Sequence, residues 1–256
     1  SYRHLMIIKG GFSQVQCMPP HNVVGEPVES NLPRGFGKDI LVNLVKASRN
    51  ILERHPINEK RIKEGKSPAN SIWLWGQGKT PSLLTFPEKY GIRGGVISAV
   101  DLIKGIGRFA GLDVVEVPGA TGYYDTDYAA KARYALEVLK DKDFVFVHVE
   151  APDEAGHAGD IKEKIRAIEN FDEKLVRTIF EGLKNYEAYK ILLVPDHPTP
   201  IRVRTHVAEP VPFVIYSTFR KTIGADSFDE ISIRGENLHF EEGYKLMDFF
   251  IKKGER

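Results

Sequence analysis

Apolar positions along the chain fall into two textures. From Ser71 onward, short apolar runs of strand length alternate with stretches of helical period. Residues 72–75, 95–97, 113–117, 144–149, 191–194 and 212–216 predict strands. Residues 99–109, 128–139, 161–183 and 241–252 predict helices. Within 161–183, Ile161, Ile165, Ile168, Leu175, Ile179 and Leu183 form one apolar stripe. Strand–helix alternation predicts an α/β fold: a mostly parallel sheet with helices on both faces. In such sheets ligands bind at the carboxyl ends of the strands.

The first part of the chain reads differently. Residues 18–37 are rich in Pro, Gly and polar side chains. Residues 38–54 predict a helix, with Ile40, Leu41, Leu44, Val45, Ile51 and Leu52 at helical spacing, ended by His55-Pro56. Residues 60–70 are charged and expected at the surface. Leu5, Met6, Ile7 and Ile8 form a short buried-strand pattern with no preamble. A boundary near Pro68 divides a smaller α+β domain, residues 1–70, from a larger one, residues 71–256.

Composition adds mainly exclusions. The hydrophobic fraction of 42% is ordinary for a globular protein. With 36 basic and 35 acidic residues the net charge is +1, so no global field points to nucleic acid or a membrane surface. An anionic ligand must be held by a local cluster. The single cysteine, Cys17, forms no internal disulfide and fits a reducing, cytoplasmic setting. No apolar run approaches the length of a membrane span, and the start lacks the pattern of a signal peptide.

The candidate chemistry lies in three segments. The strand pattern ending at Val147-His148-Val149 runs into Glu150-Ala151-Pro152-Asp153-Glu154-Ala155-Gly156-His157. The strand pattern Leu192-Leu193-Val194 runs into Pro195-Asp196-His197-Pro198-Thr199-Pro200. Arg204-Thr205-His206 follows. Both loops are expected on the same edge of a parallel sheet, which would gather Asp153, His157, Asp196, His197 and His206. Carboxylate plus imidazole is the ligand mix for zinc, manganese and related divalent ions.

Other features read as structural. His4, His55 and His239 lack such company. His148, inside an apolar strand, is expected to be buried and hydrogen-bonded. Asp125 and Asp127 suit the cap of the following helix. Trp73 and Trp75 suit packing. Gly76-Gln77-Gly78-Lys79 lacks the spacing of a nucleotide-phosphate loop. Glu150 suits either a strand-end acid or a partner that orients a metal-bound histidine.

The Asp-Glu-Ala-Gly-His-Ala-Gly-Asp stretch from Asp153, the Asp-His-Pro-Thr-Pro stretch from Asp196 and the His206 region resemble the cofactor-independent phosphoglycerate mutases. The closer likeness is to their archaeal-type branch, within the alkaline phosphatase superfamily. Tyr2-Arg3-His4, Pro19-Pro20-His21, Trp73-Leu74-Trp75-Gly76, residues 99–107 and Pro118-Gly119-Ala120-Thr121-Gly122-Tyr123 resemble that branch too. The resemblance implies an alkaline phosphatase-like fold and an isomerase that exchanges phosphate between the 3- and 2-hydroxyls of glycerate through a phosphoserine. It implies two divalent ions, manganese first, with magnesium, cobalt or zinc as alternatives. One is held by Asp153, His157 and His206, the other in part by Asp196 and His197. Lys104 resembles an active-site lysine that steadies the phosphoryl group. Arg3 and His21 lie in segments resembling the substrate-handling domain.

The family pattern also requires an early aspartate and a nucleophilic serine, and neither has a counterpart in this sequence. These 256 residues alone are therefore expected to lack mutase activity. Rival readings are another phosphomutase or phosphomonoesterase of the superfamily, and a non-catalytic metal- or ligand-binding fragment.

Overall fold

The computed structural model describes residues 4–11, 14–219, 224–236 and 238–252. The chain forms two compact units, Ser1–Pro81 and Ser82–Arg256.

In the first unit, helix α1 (Lys38–Leu52) buries Leu41, Val45 and Ser48, one face of a 3.6-residue period. Ile40 and Ile51, on other faces, stay half-exposed or more. His55 begins a second helix, α2 (Pro56–Lys63): its Nδ1 accepts from the amide of Ile57, and Pro56 needs no donor in the first turn. The expected exposed stretch thus starts as a helix. Asn58 is buried and ties α2 to residue 69 through two hydrogen bonds with Ala69. Trp73 donates its indole proton to the Met18 carbonyl at 2.7 Å. Two expected strands are absent among the described residues. Residues 72–75 are not part of a sheet, and Leu5 and Ile7 are 87% and 83% exposed. Apolar sequence marks a strand only where a ladder partner and a covering layer exist, and neither is found among the described residues.

The second unit opens with α3 (Phe86–Tyr90), closed by a reciprocal Thr85–Glu88 capping box. Strand β1 (Gly94–Ile97) is central in a parallel sheet of order β2-β1-β3, with β2 (Asp113–Val114) and β3 (Phe144–Val147) on either side. All four β1 residues are buried, as expected of a strand covered on both faces. Helix α4 (Asp101–Phe109) covers one face, where Gly107 lies against Val96. Helix α5 (Tyr128–Leu139) covers the other, where Val138 lies over Gly95. A Cβ on Gly95 would meet the Val138 methyl at 2.9 Å, so glycine sets the approach of α5. Ile97, Ala130 and Ala135 pack beneath it, each buried aliphatic side chain of the size of Ile97 contributing about 1.5–3 kcal/mol.

After β3 comes α6 (Ala151–Ala158), then α7 (Ile161–Asn170), a π-helical turn over Phe171–Val176, and α8 (Arg177–Leu183). The wide π turn resets the helical phase. The expected stripe is accordingly split: Leu175 and Leu183 are buried, while Ile161, Ile165 and Ile168 are half-exposed or more. Strands β4 (Lys190–Leu193) and β5 (Val214–Ser217) pair antiparallel, apart from the parallel sheet. A parallel return needs a crossover, commonly a helix, and residues 194–213 contain none, so the chain turns back on itself. Helix α9 (Lys245–Lys252) completes the unit. Among the described residues no helix is long and apolar enough to cross a membrane.

Candidate metal centre

The segment after β3 was expected as a loop. It is helix α6, with Pro152 in its first turn and Gly159, at φ 72°, closing it. Asp153 and His157 therefore stand one turn apart on the same face. The second and third segments share the long connection between β4 and β5. Because β4 lies outside the parallel sheet, the two ligand-bearing segments do not meet on one sheet edge as expected. They meet because residues 196–206 pack against α6. A Cβ on Gly156 would lie 2.5 Å from the Thr199 carbonyl oxygen, and one on Gly159 would run into the Arg204 guanidinium. The two glycines thus form the seat for the loop.

This packing gathers the donors. His157 Nε2 lies 3.0 Å from His206 Nε2 and 3.3 Å from Asp153 Oδ2, and His206 Nε2 lies 3.5 Å from Asp153 Oδ1. Neighbouring nitrogen ligands of a tetrahedral ion bound at about 2.0–2.1 Å stand about 3.3 Å apart, and these separations, which reach His157 and His206 from different oxygens of Asp153, are of that size. An overlapping group, Asp153, His197 and His206, presents ligand atoms all within 4.8 Å of one another. The His197 and His206 rings lie 3.7 Å apart, centre to centre. Asp196 is the most exposed member, with Oδ2 3.4 Å from His197 Nε2.

Proton placement follows from the partners. His157 Nδ1 faces the Arg204 carbonyl at 3.0 Å. A carbonyl only accepts, so Nδ1 carries the proton and Nε2 presents its lone pair to the cluster. Arg204 holds this carbonyl from a left-handed backbone at φ 57°, the one non-glycine residue so placed among those described.

The surroundings are acidic and partly dry. Burial pushes the Glu150 carboxyl up, and the nearby charges of Asp153, Glu154 and Asp196 add to the rise. Its Oε2 is buried without a hydrogen bond, 3.9 Å from His148 Nδ1. Carboxylates gathered closely enough to raise the pKa of Glu150 create a field that attracts a cation. His148 is hydrogen-bonded as expected but only partly buried: its Nδ1 meets Ser98 Oγ at 3.2 Å, and desolvation lowers its pKa. Beneath it, Lys131 is 1% exposed; its ammonium donates to the His148 carbonyl at 3.0 Å, and burial lowers its pKa to about 8.

The remaining sequence candidates separate. Lys104 on α4 pairs with Glu116, Nζ lying 3.0 and 2.8 Å from the two carboxylate oxygens. Arg3 lies outside the described residues, as does the side chain of His21. Asp127 caps α5 by accepting from the Ala130 amide at 2.7 Å, whereas Asp125 accepts from Thr121 Oγ1 instead. Sequence reading passed over Thr199, which is 4% exposed and bonds both Asp153 and His197. It passed over Lys164 too, which donates to the Thr199 carbonyl at 2.7 Å. The signal for Thr199 was its place inside the Asp-His-Pro-Thr-Pro stretch.

The chain as a whole is similar to known proteins. The metalloenzyme superfamily model matches residues 28–253. The chain is 50% identical over 255 residues to a 2,3-bisphosphoglycerate-independent phosphoglycerate mutase of Methanosarcina mazei, covering 98% of this chain and 64% of that protein. It is 47% identical to a probable enzyme of the same name from Geobacter sulfurreducens, covering 98% and 63%. The chain thus spans 64% of the length of the first of these curated relatives. Among solved structures, a Pyrococcus horikoshii protein aligns at TM-score 0.61 and 40% identity over 69% of this chain and 46% of its own. The cofactor-independent phosphoglycerate mutase of Thermoplasma acidophilum aligns at TM-score 0.57 and 24% identity over 90% of this chain and 56% of its own, a likeness of fold.

Proposed function

This chain belongs to the metalloenzyme superfamily, and from that membership we propose that the whole protein interconverts 3-phosphoglycerate and 2-phosphoglycerate. The reading is supported by the names of relatives up to 50% identical over nearly the whole chain. The observation that carries it is the donor triangle of Asp153, His157 and His206, with edges of 3.0–3.5 Å, beside Asp196 and His197.

In this reading Asp153, His157 and His206 hold one divalent ion, and Asp196 and His197 hold part of the shell of a second. Manganese is the first candidate; magnesium, cobalt and zinc share the ligand chemistry. When bound, such ions lower the pKa of a hydroxyl nucleophile and neutralise charge on phosphoryl oxygens. The nucleophilic serine of the family pattern is not among these residues, so the activity is proposed of the whole protein and not of this stretch.

The chain's own residues hold and orient. Arg204 fixes the ring of His157 through its carbonyl, so Nε2 faces the site. Lys104 is paired with Glu116, itself 76% exposed. An exposed pair of this kind contributes about 0–1 kcal/mol, so a phosphoryl oxygen can displace Glu116 at little cost. The Ser82–Arg256 unit is then the metal-binding domain and the Ser1–Pro81 unit the substrate-handling one, with Arg3 and His21 as its candidate substrate contacts.

The test is a mutase assay on the full-length protein without added 2,3-bisphosphoglycerate. Manganese-dependent conversion of 3-phosphoglycerate is expected, and Asp153→Asn or His206→Asn should abolish it. Release of inorganic phosphate without isomerisation would favour a phosphomonoesterase. No turnover of either kind would favour a binding module.

A further inference from the structure

Thr199 occupies an unusual position. It is buried, and its one hydroxyl reaches a residue from each half of the Asp–His cluster: Asp153 on α6 and His197 on the connecting loop. A hydroxyl has one proton to give. An ionised carboxylate only accepts, so the proton goes to Asp153 Oδ1. Toward His197 Nδ1, at 3.3 Å, the same oxygen must then accept. His197 therefore carries its proton on Nδ1 and leaves Nε2 bare. The competing contact, His197 Nε2 to Asp196 Oδ2 at 3.4 Å, would demand the opposite tautomer, but that carboxylate is 71% exposed, and an exposed pair of this kind is weak.

Two further contacts hold Thr199 in place. The Lys164 ammonium on α7 donates to its carbonyl at 2.7 Å, and Gly156 leaves room for that carbonyl against α6. The residue is thereby fixed by three elements: its own loop, α6 and α7.

We propose that Thr199 is a positioning residue that clamps the 196–206 loop to α6, sets the spacing of Asp153 and His197, and presents His197 Nε2 as the ligand atom. The ligand part of this proposal rests on the metal-centre reading above; the clamp and the tautomer do not.

The experiment compares Thr199→Val, which keeps the shape without the hydroxyl, with Thr199→Ser, which keeps the hydroxyl. Manganese affinity is read by calorimetry on the full chain, folding by circular dichroism, and the His197 tautomer by nitrogen-15 NMR of the metal-free chain near about pH 8.5, where imidazoles are neutral. Thr199→Val should bind manganese about 10- to 100-fold more weakly, the usual loss for a residue that orients a ligand, while Thr199→Ser stays close to the parent. The parent should carry the His197 proton on Nδ1. Unchanged affinity in Thr199→Val, an equal loss in Thr199→Ser, or a proton on Nε2 in the parent would overturn the proposal. If Thr199→Val does not fold, the parent tautomer still decides. If the parent binds no manganese, the metal reading fails, and the tautomer alone judges the clamp.

Discussion

The carbonyl oxygen of Arg204 lies 3.0 Å from Nδ1 of His157, and Arg204 delivers it from a left-handed backbone at φ 57°. A β-branched residue resists that conformation by about 1–2 kcal/mol, and glycine adopts it freely. Arg204→Val should therefore be less stable than Arg204→Gly by about that amount. Both variants lose the guanidinium packed on Gly159, so their difference reads the backbone alone. Equal unfolding midpoints in urea would contradict the strain.

Gly156→Ala sets two effects against each other. Alanine in a helix is favoured over glycine by about 1 kcal/mol. The new Cβ, however, would stand 2.5 Å from the Thr199 carbonyl oxygen and 2.8 Å from its methyl. Overpacking against backbone costs about 1–3 kcal/mol, so the clash is expected to win. Thermal melts should place the variant below the parent, with weakened manganese binding. A stabilised variant would mean that the loop does not sit on α6.

Lys131 predicts a pH dependence with a definite sign. Burial lowers its folded pKa from the ordinary 10.5 to about 8, with Glu150 partly opposing the shift. Below pH 8 the ammonium is charged in both states, and its burial costs about 3 kcal/mol. Between pH 8 and 10.5 the unfolded chain holds a proton that the native chain has released, so this group makes stability rise with pH. Denaturation in urea across that window should detect the rise, and Lys131→Met should remove it. An identical slope in the variant would contradict the assignment.

Metal removal should be visible as lost stability. A ligand at about 100 times its Kd stabilises the folded state by about 2.7 kcal/mol. For a chain of this size that is about 5–10 °C in Tm. Chelation should remove the increment, and Asp153→Asn should show none to remove. A manganese-induced shift that survives in Asp153→Asn would place the ion elsewhere.

Much of this was legible in the sequence because period and burial agree. The helix Tyr128–Leu139 has the bounds its pattern predicts, and β1, β3 and β4 fall within a residue or two of theirs. What escaped depends on contacts far apart in sequence. The Asp153–His157 spacing of four residues signals a helix face, yet Pro152, Asp153 and Gly156, residues common in loops, hid it. The antiparallel turn of β5 is decided by the missing helix between residues 194 and 213, not by β5 itself. Leu5 to Ile8 read as a buried strand, since no sequence rule reveals whether a partner strand stands alongside. For Thr199, residue type said little, and its importance lies in what the fold brings to its hydroxyl.

The most direct test of the metal-centre account is anomalous diffraction, at the manganese edge, from crystals of the chain soaked in manganese. The account predicts a peak bounded by Asp153, His157 and His206, and a second touching Asp196 and His197. No peak at this cluster under saturating metal, or a peak held by other residues, would contradict it.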